Sequence, residues 1–206
     1  KTEAQGFQLN FMICDISQLI KDTYIRFDPA AKQNDLTFKI GLPEQNFNAA
    51  VDKEALTKIL SNLFNNAVKY AKSYIHVSLH APTDEQNDFF SITVSNDGLP
   101  IPVEMKEKIF EPFVQIKNVS NGQTKTGTGI GLPLARSLTE LHRGKLYLKD
   151  SDDICFCIEL PIKQEKTILL QKTEIEKPVN TPTVIRQHQT DICILVVEDD
   201  PEMQSL

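Results

Sequence analysis

"ILSNLFNNAVKYA", residues 59–71, decides how this chain is read. Ile59, Leu60, Leu63 and Ala67 continue a stripe begun by Ala55 and Leu56, at the spacing of one helix face, and Asp52 stands where an N-cap belongs. Asn62, Asn66, Lys69 and Tyr70 follow at i, i+4, i+7 and i+8, so they share a second face. A solvated face is the plain reading, but it is more naturally built from Glu, Lys or Gln. Asn is a poor helix former, and Asn62, Asn65 and Asn66 on one helix cost stability. Amide oxygens can ligate Mg²⁺ beside phosphate oxygens and water. A lysine supplies a point charge for phosphate, and a tyrosine a flat face for a base.

A second stretch, "GQTKTGTGIGLPLA" at residues 122–135, holds four of the chain's 8 glycines. It is not a P-loop, because Thr128 follows Gly127 where GxxxxGK[ST] needs lysine. It is not a dinucleotide fingerprint either, because the spacing is GxGxG. The glycines lead into a helix predicted from about Leu132, with Pro133 in its first turn. The first amides of a helix lack internal partners and attract anions, and glycines in front let an anion approach. A flexible connection or a simple cap is the alternative.

Outward from these stretches the pattern is mixed. Residues 15–32 predict an amphipathic helix and "LTFKI" a strand. Ile75, Val77 and Leu79, then Phe90, Ile92 and Val94, alternate as a hairpin across a polar turn. "NDGLPIP", residues 96–102, stops the second strand, and a short helix is expected over 103–110. Leu134, Leu138 and Leu141 predict the apolar edge of the helix that Gly144 ends. "KLYLK" and "ICFCIELP" predict two closing strands, on which Cys155 and Cys157 share a face as ordinary thiols. Residues 164–190 read as a polar linker, and 192–197 as the first strand of another domain.

Five of the six net negative charges come from Asp191, Glu198, Asp199, Asp200 and Glu202. Nothing is a basic footprint for nucleic acid, and no apolar run is long enough to cross a bilayer or resembles a signal peptide, so neither nucleic acid nor membrane is an expected partner of these residues.

"NLFNNAVKYA", "NDGLPIP", "IFEPF" and "GTGIGLPLA" stand in the order and approximate spacing of the catalytic ATP-binding domain of sensor histidine kinases, which they resemble over about residues 8–162. That domain belongs with the gyrase, Hsp90 and MutL ATPases. The resemblance implies an α+β fold of Bergerat type: a two-layer α/β sandwich, its mixed, mostly antiparallel sheet covered by helices on one face. It implies ATP and Mg²⁺ as ligands. Asn66 would ligate Mg²⁺, and Asn62 would face the phosphates or support that site. Lys69 would contact phosphate and Tyr70 pack on adenine. Asn96, Gly98 and Ile101 would form the adenine site. Phe110 and Phe113 would anchor a lid over residues 115–126, from which Lys125 could reach phosphate. Gly127, Thr128, Gly129, Ile130, Gly131 and Leu132 would wrap the phosphates.

"ILVVEDDPE", residues 194–202, resembles the start of a response-regulator receiver, so the parent resembles a hybrid kinase. The implied division is the tail of a dimerisation and phosphoacceptor hairpin or a linker over 1–10, the catalytic domain over 11–163, a linker over 164–190 and a truncated receiver over 191–206. Glu198 and Asp199 would be the Mg²⁺ pair of the intact receiver. The implied parent is a homodimer anchored in the inner membrane, with this part cytoplasmic, and its partners are its own acceptor hairpin and receiver.

Two departures bear on activity. Asn96 stands where the family usually has Asp, and Pro100 where it has a second Gly. An Asn carbonyl can still accept from an adenine amino group. The ATPase branch generally puts a Glu general base where Asn62 stands, so phosphoryl transfer fits better than hydrolysis. None of the histidines sits in an acceptor context: His76 and His80 are solvent-face strand residues about 13 Å apart, His142 is expected as a charge at a helix C-terminus, and His188 falls in the linker. The expected function is therefore phosphoryl transfer from Mg-ATP to a histidine outside this fragment, for relay to a receiver Asp. The alternative is a degenerate nucleotide-binding regulatory module without transferase activity.

Overall fold

The computed structural model describes residues 8–82, 88–116 and 127–164. The receiver-like stretch, the linker beyond Gln164, and Lys125, Glu198 and Asp199 lie outside the described residues.

The chain begins with β1 (Met12–Asp15), whose last residue caps α1 (Ile16–Gln33) by accepting from the Gln18 N–H. Then come β2 (Thr37–Gly41), β3 (Asn48–Val51) and α2 (Lys53–Tyr70). Asp52 caps α2 as expected, its carboxylate accepting from the Ala55 N–H at 2.9 Å. β4 (Tyr74–His80) and β5 (Phe89–Asn96) form the expected hairpin. α3 (Gly131–Leu141), β6 (Lys145–Lys149) and β7 (Ile154–Pro161) close the domain.

The main sheet has the order β2-β4-β5-β7-β6. Only β2 and β4 run parallel, and the other neighbours are antiparallel. Alternation decides the layers. Ile75, Val77 and Leu79, then Phe90, Ile92 and Val94, then Phe156, Ile158 and Leu160 are buried on one face. They form one core with Ile16, Leu19 and Ile20 of α1, Ile59, Leu60 and Leu63 of α2, and Ala135 and Leu138 of α3. His76, Ser78 and His80 alternate to the opposite, open face. This is the two-layer α+β sandwich that the boxes imply. At about 25 cal/mol per Å² of apolar surface, such burial is the main stabilising term.

Four local expectations are corrected. β1 and β3 were not expected; they pair antiparallel, Met12 opposite Val51, as a separate ribbon. Each is four residues long, too short for alternation to show, and Ala49 and Ala50 carry little strand propensity. Residues 103–110 form two 3₁₀ turns, Val103–Met105 and Lys108–Phe110, rather than one short helix. On α3, Leu134 and Leu141 are exposed, and the buried stripe is Ala135, Leu138, Thr139 and His142. Thr139 can be buried because its hydroxyl donates to the Ala135 carbonyl at 2.7 Å.

His142 is the fourth correction. It does end α3, but fully buried, and not as a surface charge. Its Nδ1 lies 2.7 Å from the Leu138 carbonyl and its Nε2 3.1 Å from the Asp52 N–H. A carbonyl requires a donor and an N–H requires an acceptor, so the ring is the neutral Nδ1–H tautomer. Burial lowers its pKa, against smaller raising contributions from the Leu138 carbonyl and Asp52. A histidine held neutral in the fold but free to protonate when unfolded makes stability fall with acid. The loss should begin as pH drops below about 6.5 and continue to the folded pKa. Thermal unfolding between pH 8 and 5 should show a declining Tm, and the decline should be flatter in His142→Gln. Equal slopes would contradict the neutral assignment.

Candidate functional site

The two stretches that opened the sequence reading meet. A Cβ built on Gly127 would stand 2.8 Å from Lys69 Nζ, and one on Gly131 would stand 2.9 Å from Asn62 Oδ1. The glycines lie directly against the face of α2 that carries Asn62, Asn66, Lys69 and Tyr70. All four of those side chains are half-buried, while Asn65 is exposed. The Asn62 Nδ2 donates back to the Lys58 carbonyl at 3.0 Å. Among the described residues no hydrogen bond engages the Asn66 amide. Lys69 Nζ stands 4.8 Å over the Tyr70 ring, so one face of that ring carries a cation.

The N-terminus of α3 faces the same place. Asp15 and Asp52 cap α1 and α2 through their side chains, whereas Ile130 at the N-cap of α3 makes no side-chain bond and the first turn holds no acid. Its leading amides are left for an anion. Pro133 sits in the first turn, where its missing N–H costs nothing. Thr128 is exposed, as is Ile130, while Leu132 is half-buried against the core.

Among the described residues Gly129 is the one glycine in the left-handed region, at φ +70. Its Cβ would meet Phe113 Cα at 2.8 Å. The Phe113 N–H donates to the Gly129 carbonyl at 3.0 Å, and the Gln115 side-chain amide donates to the Gly127 carbonyl. Residues 113–115 and 127–129 are therefore stapled together through the backbone. Phe110 is buried, edge-on to Phe156 at 6.2 Å, with the Arg136 guanidinium 4.9 Å over its ring. Arg136 also pairs with Glu107 at 3.1 Å and Glu140 at 3.4 Å. Phe113 is 75% exposed and takes φ +66, so its side chain is anchored in nothing and its backbone holds the join.

At the far end of the face, Gly98 packs on the last turn of α2. Its Cβ would stand 2.8 Å from the Tyr70 carbonyl and 2.7 Å from Asn96 Oδ1. Asn96 is 2% exposed, and its Oδ1 accepts the Gly98 N–H at 3.0 Å. One lone pair of that carbonyl remains for a ligand. Ile101, half-buried, packs beside the core.

Asp97 is the residue the sequence did not single out. Its carboxylate accepts the N–H groups of Lys72, Ser73 and Tyr74 at 2.9, 3.0 and 3.2 Å and the Ser73 hydroxyl at 2.6 Å. Burial pushes its pKa up, but these four hydrogen bonds outweigh that and hold the carboxyl well below the usual range. Asp97 thus ties "NDG" to the turn that leaves α2. No local spacing announces this, because the partners lie more than twenty residues away. Asp97→Ala should lower Tm by about 2–6 °C, since three backbone donors lose their acceptor. A change under about 1 °C in a melting curve would refute the tether.

Among the described residues no group of three or more His, Cys, Asp and Glu side chains could hold a metal ion, so a cation here would depend on amide and ligand oxygens. Among them too, no helix is long and apolar enough to cross a membrane. Cys155 and Cys157 are free thiols whose pKa values burial raises.

Comparison with known proteins gives the family and the fold. Residues 51–164 match the family described as histidine kinase-, DNA gyrase B-, and HSP90-like ATPase. The chain is 30% identical over 228 residues to the sensor histidine kinase TmoS of Ectopseudomonas mendocina, covering 99% of this chain and 23% of that protein. It is 25% identical over 168 residues to the sensor histidine kinase WalK of Bacillus subtilis, covering 81% and 27%. This chain thus spans about a quarter of each kinase's length. The nucleotide-free catalytic domain of histidine kinase ThkA superposes with a TM-score of 0.65 at 25% identity, covering 77% of this chain and 99% of that domain. With more than half of its length inside the family match, the chain belongs to the histidine kinase-, gyrase B- and HSP90-like ATPases and carries the catalytic ATP-binding domain of a sensor histidine kinase.

Proposed function

We propose that this domain binds Mg-ATP between α2 and the 127–131 turn, and that it donates the terminal phosphoryl group to a histidine outside the described residues. The observation that carries this reading is the seating of Gly127 and Gly131 against Lys69 and Asn62, which leaves a bare backbone beside a lysine and an uncapped helix N-terminus. A side chain at either glycine would fill the space that a phosphate chain needs. The donor set fits the ligand: Asn66 has an uncommitted amide oxygen for the cation, and Asn62 supports the turn. Lys69 neutralises phosphate charge. Tyr70, Asn96, Gly98 and Ile101 border the adenine end, and Phe110 and Phe113 hold the root of the segment that contains Lys125. When bound, Mg²⁺ would neutralise charge on the phosphates and help align them. With Asn62 in place of a carboxylate base, the residues position and neutralise rather than activate water.

The acceptor is not among the described histidines. His76 and His80 are on the open sheet face, and His142 is buried and hydrogen-bonded at both nitrogens. In the whole protein we place the acceptor on a dimerisation hairpin and the relay Asp on a receiver, with Glu198 and Asp199 as that receiver's Mg²⁺ pair. The kinase as a whole would then be a homodimer with this part in the cytoplasm. Titration calorimetry with ATP, with and without Mg²⁺, tests the first step, and an acceptor hairpin from the parent tests the second. No binding at millimolar ATP sinks the proposal. Binding without transfer favours a regulatory module.

A further inference from the structure

Both stretches of chain that flank the domain converge on His142. Leu9 is buried, the Asn10 N–H donates to Asp52 Oδ2 at 2.7 Å, and Phe11 lies edge-on to the His142 ring at 5.5 Å. On the other side, Gln164 is 3% exposed and donates to the His142 carbonyl at 2.8 Å. His142 in turn joins two helices: its ring accepts the N–H of Asp52, the N-cap of α2, and donates to the Leu138 carbonyl in the last turn of α3. Asn62 and Lys69 stand further along α2, and Gly131 opens α3 directly after the turn that holds Gly127. Asp52 divides its carboxylate between the incoming chain, through Oδ2, and the first turn of α2, through Oδ1.

We propose that His142 is a positioning residue that couples the segments flanking the domain to the separation of α2 and α3, and hence to the nucleotide cradle. It touches no ligand. Its effect runs through α3, a rigid 11-residue helix about 16 Å long, with the glycine turn at the opposite end. A packed helix with fixed bonds at one end transmits a shift at that end, because a close-packed interior cannot absorb it continuously. The two ring bonds also set direction. A side chain of similar volume without both polar atoms would leave the Asp52 N–H unpaired and let the ends of the two helices separate.

The part of this inference that concerns affinity rests on the proposed nucleotide site, so its test has an arm without nucleotide. Amide spectra of the full chain would compare wild type with His142→Leu and His142→Gln. His142→Leu should move the resonances of Gly127, Gly129, Gly131 and Asn62, far from the substitution, and His142→Gln should restore most of the shift by offering Asp52 an acceptor. Gln164→Ala, which leaves the ring bonds in place, should move the same resonances by a smaller amount and is the fallback if His142→Leu fails to fold. In the nucleotide arm, Mg-ATP should bind His142→Leu about tenfold more weakly than wild type, with recovery in His142→Gln. Shifts confined to residues next to position 142, in His142→Leu or in Gln164→Ala, would overturn the coupling. So would an unchanged affinity in a folded His142→Leu. If wild type itself bound no nucleotide, the site assignment would fail and the nucleotide-free spectra would still decide the coupling.

Discussion

Asn66→Ala should weaken Mg²⁺-dependent ATP binding about a hundredfold, which corresponds to about 2.7 kcal/mol. Asn66 lies mid-helix on α2, half-buried, one turn before Lys69, and among the described residues nothing else uses its amide. A polar group left uncommitted in a half-buried face is available to a ligand without breaking any bond in the fold. Removing it should therefore separate binding from stability. Ala is the better helix former by a few tenths of a kcal/mol, so Tm should stay level or rise slightly while affinity collapses. Asn65→Ala is the control: same residue type, adjacent position, but exposed and turned from the glycines. It should bind Mg-ATP as wild type does. Calorimetry on both variants, with and without Mg²⁺, reads the difference. Equal affinities for Asn66→Ala and wild type would remove Asn66 from the site.

Gly144→Ala should be the most damaging single methyl group in the domain. Gly144 follows Arg143, which takes the left-handed φ of +60 at the end of α3, and its N–H returns to the Thr139 carbonyl at 2.9 Å. Conformational freedom is not what Gly144 is needed for. A Cβ there would stand 2.2 Å from the Glu159 carbonyl oxygen of β7 and 2.5 Å from Leu160 Cδ2. The oxygen is backbone and cannot swing away, and β7 is held on both sides, by β5 and by β6. Either α3 or the strand must move, at a cost of about 3 kcal/mol. For a domain of this size, Tm should fall by about 6–12 °C. A drop under about 2 °C would mean that the contact is softer than the structure implies. Because His142 is two residues away, this variant should also lose nucleotide affinity once partly unfolded. The comparison with Asn66→Ala is therefore informative, one variant losing the site and the other the scaffold.

Much of the fold was legible because its signals are local. Asp15 and Asp52 announce helix starts by their own side-chain chemistry, and Ile92, Val94, Phe156 and Ile158 alternate with the pleat. The ribbon of β1 and β3 was not legible, since four-residue strands exist only through their pairing. Nor was the inward face of α3. Thr139 and His142 read as polar letters, yet each satisfies its polar atoms within the fold and so can be buried. Asp97 was not legible either, because its four donors come from residues 72–74, a whole β4–β5 hairpin earlier in the chain.

The sequence by itself determined the three α-helices, the five strands of the main sheet, the order of the four boxes and the residue types that could meet a phosphate. Each depends on periodicity or on spacing within a few residues. Only the tertiary structure decided that Lys69 and Asn62 lie under Gly127 and Gly131, that Phe110 is buried while Phe113 is not, and that His142 is a neutral link and not a surface charge. Those outcomes depend on which surfaces are excluded from water together, and burial is a property of the packed whole that no short window of residues contains.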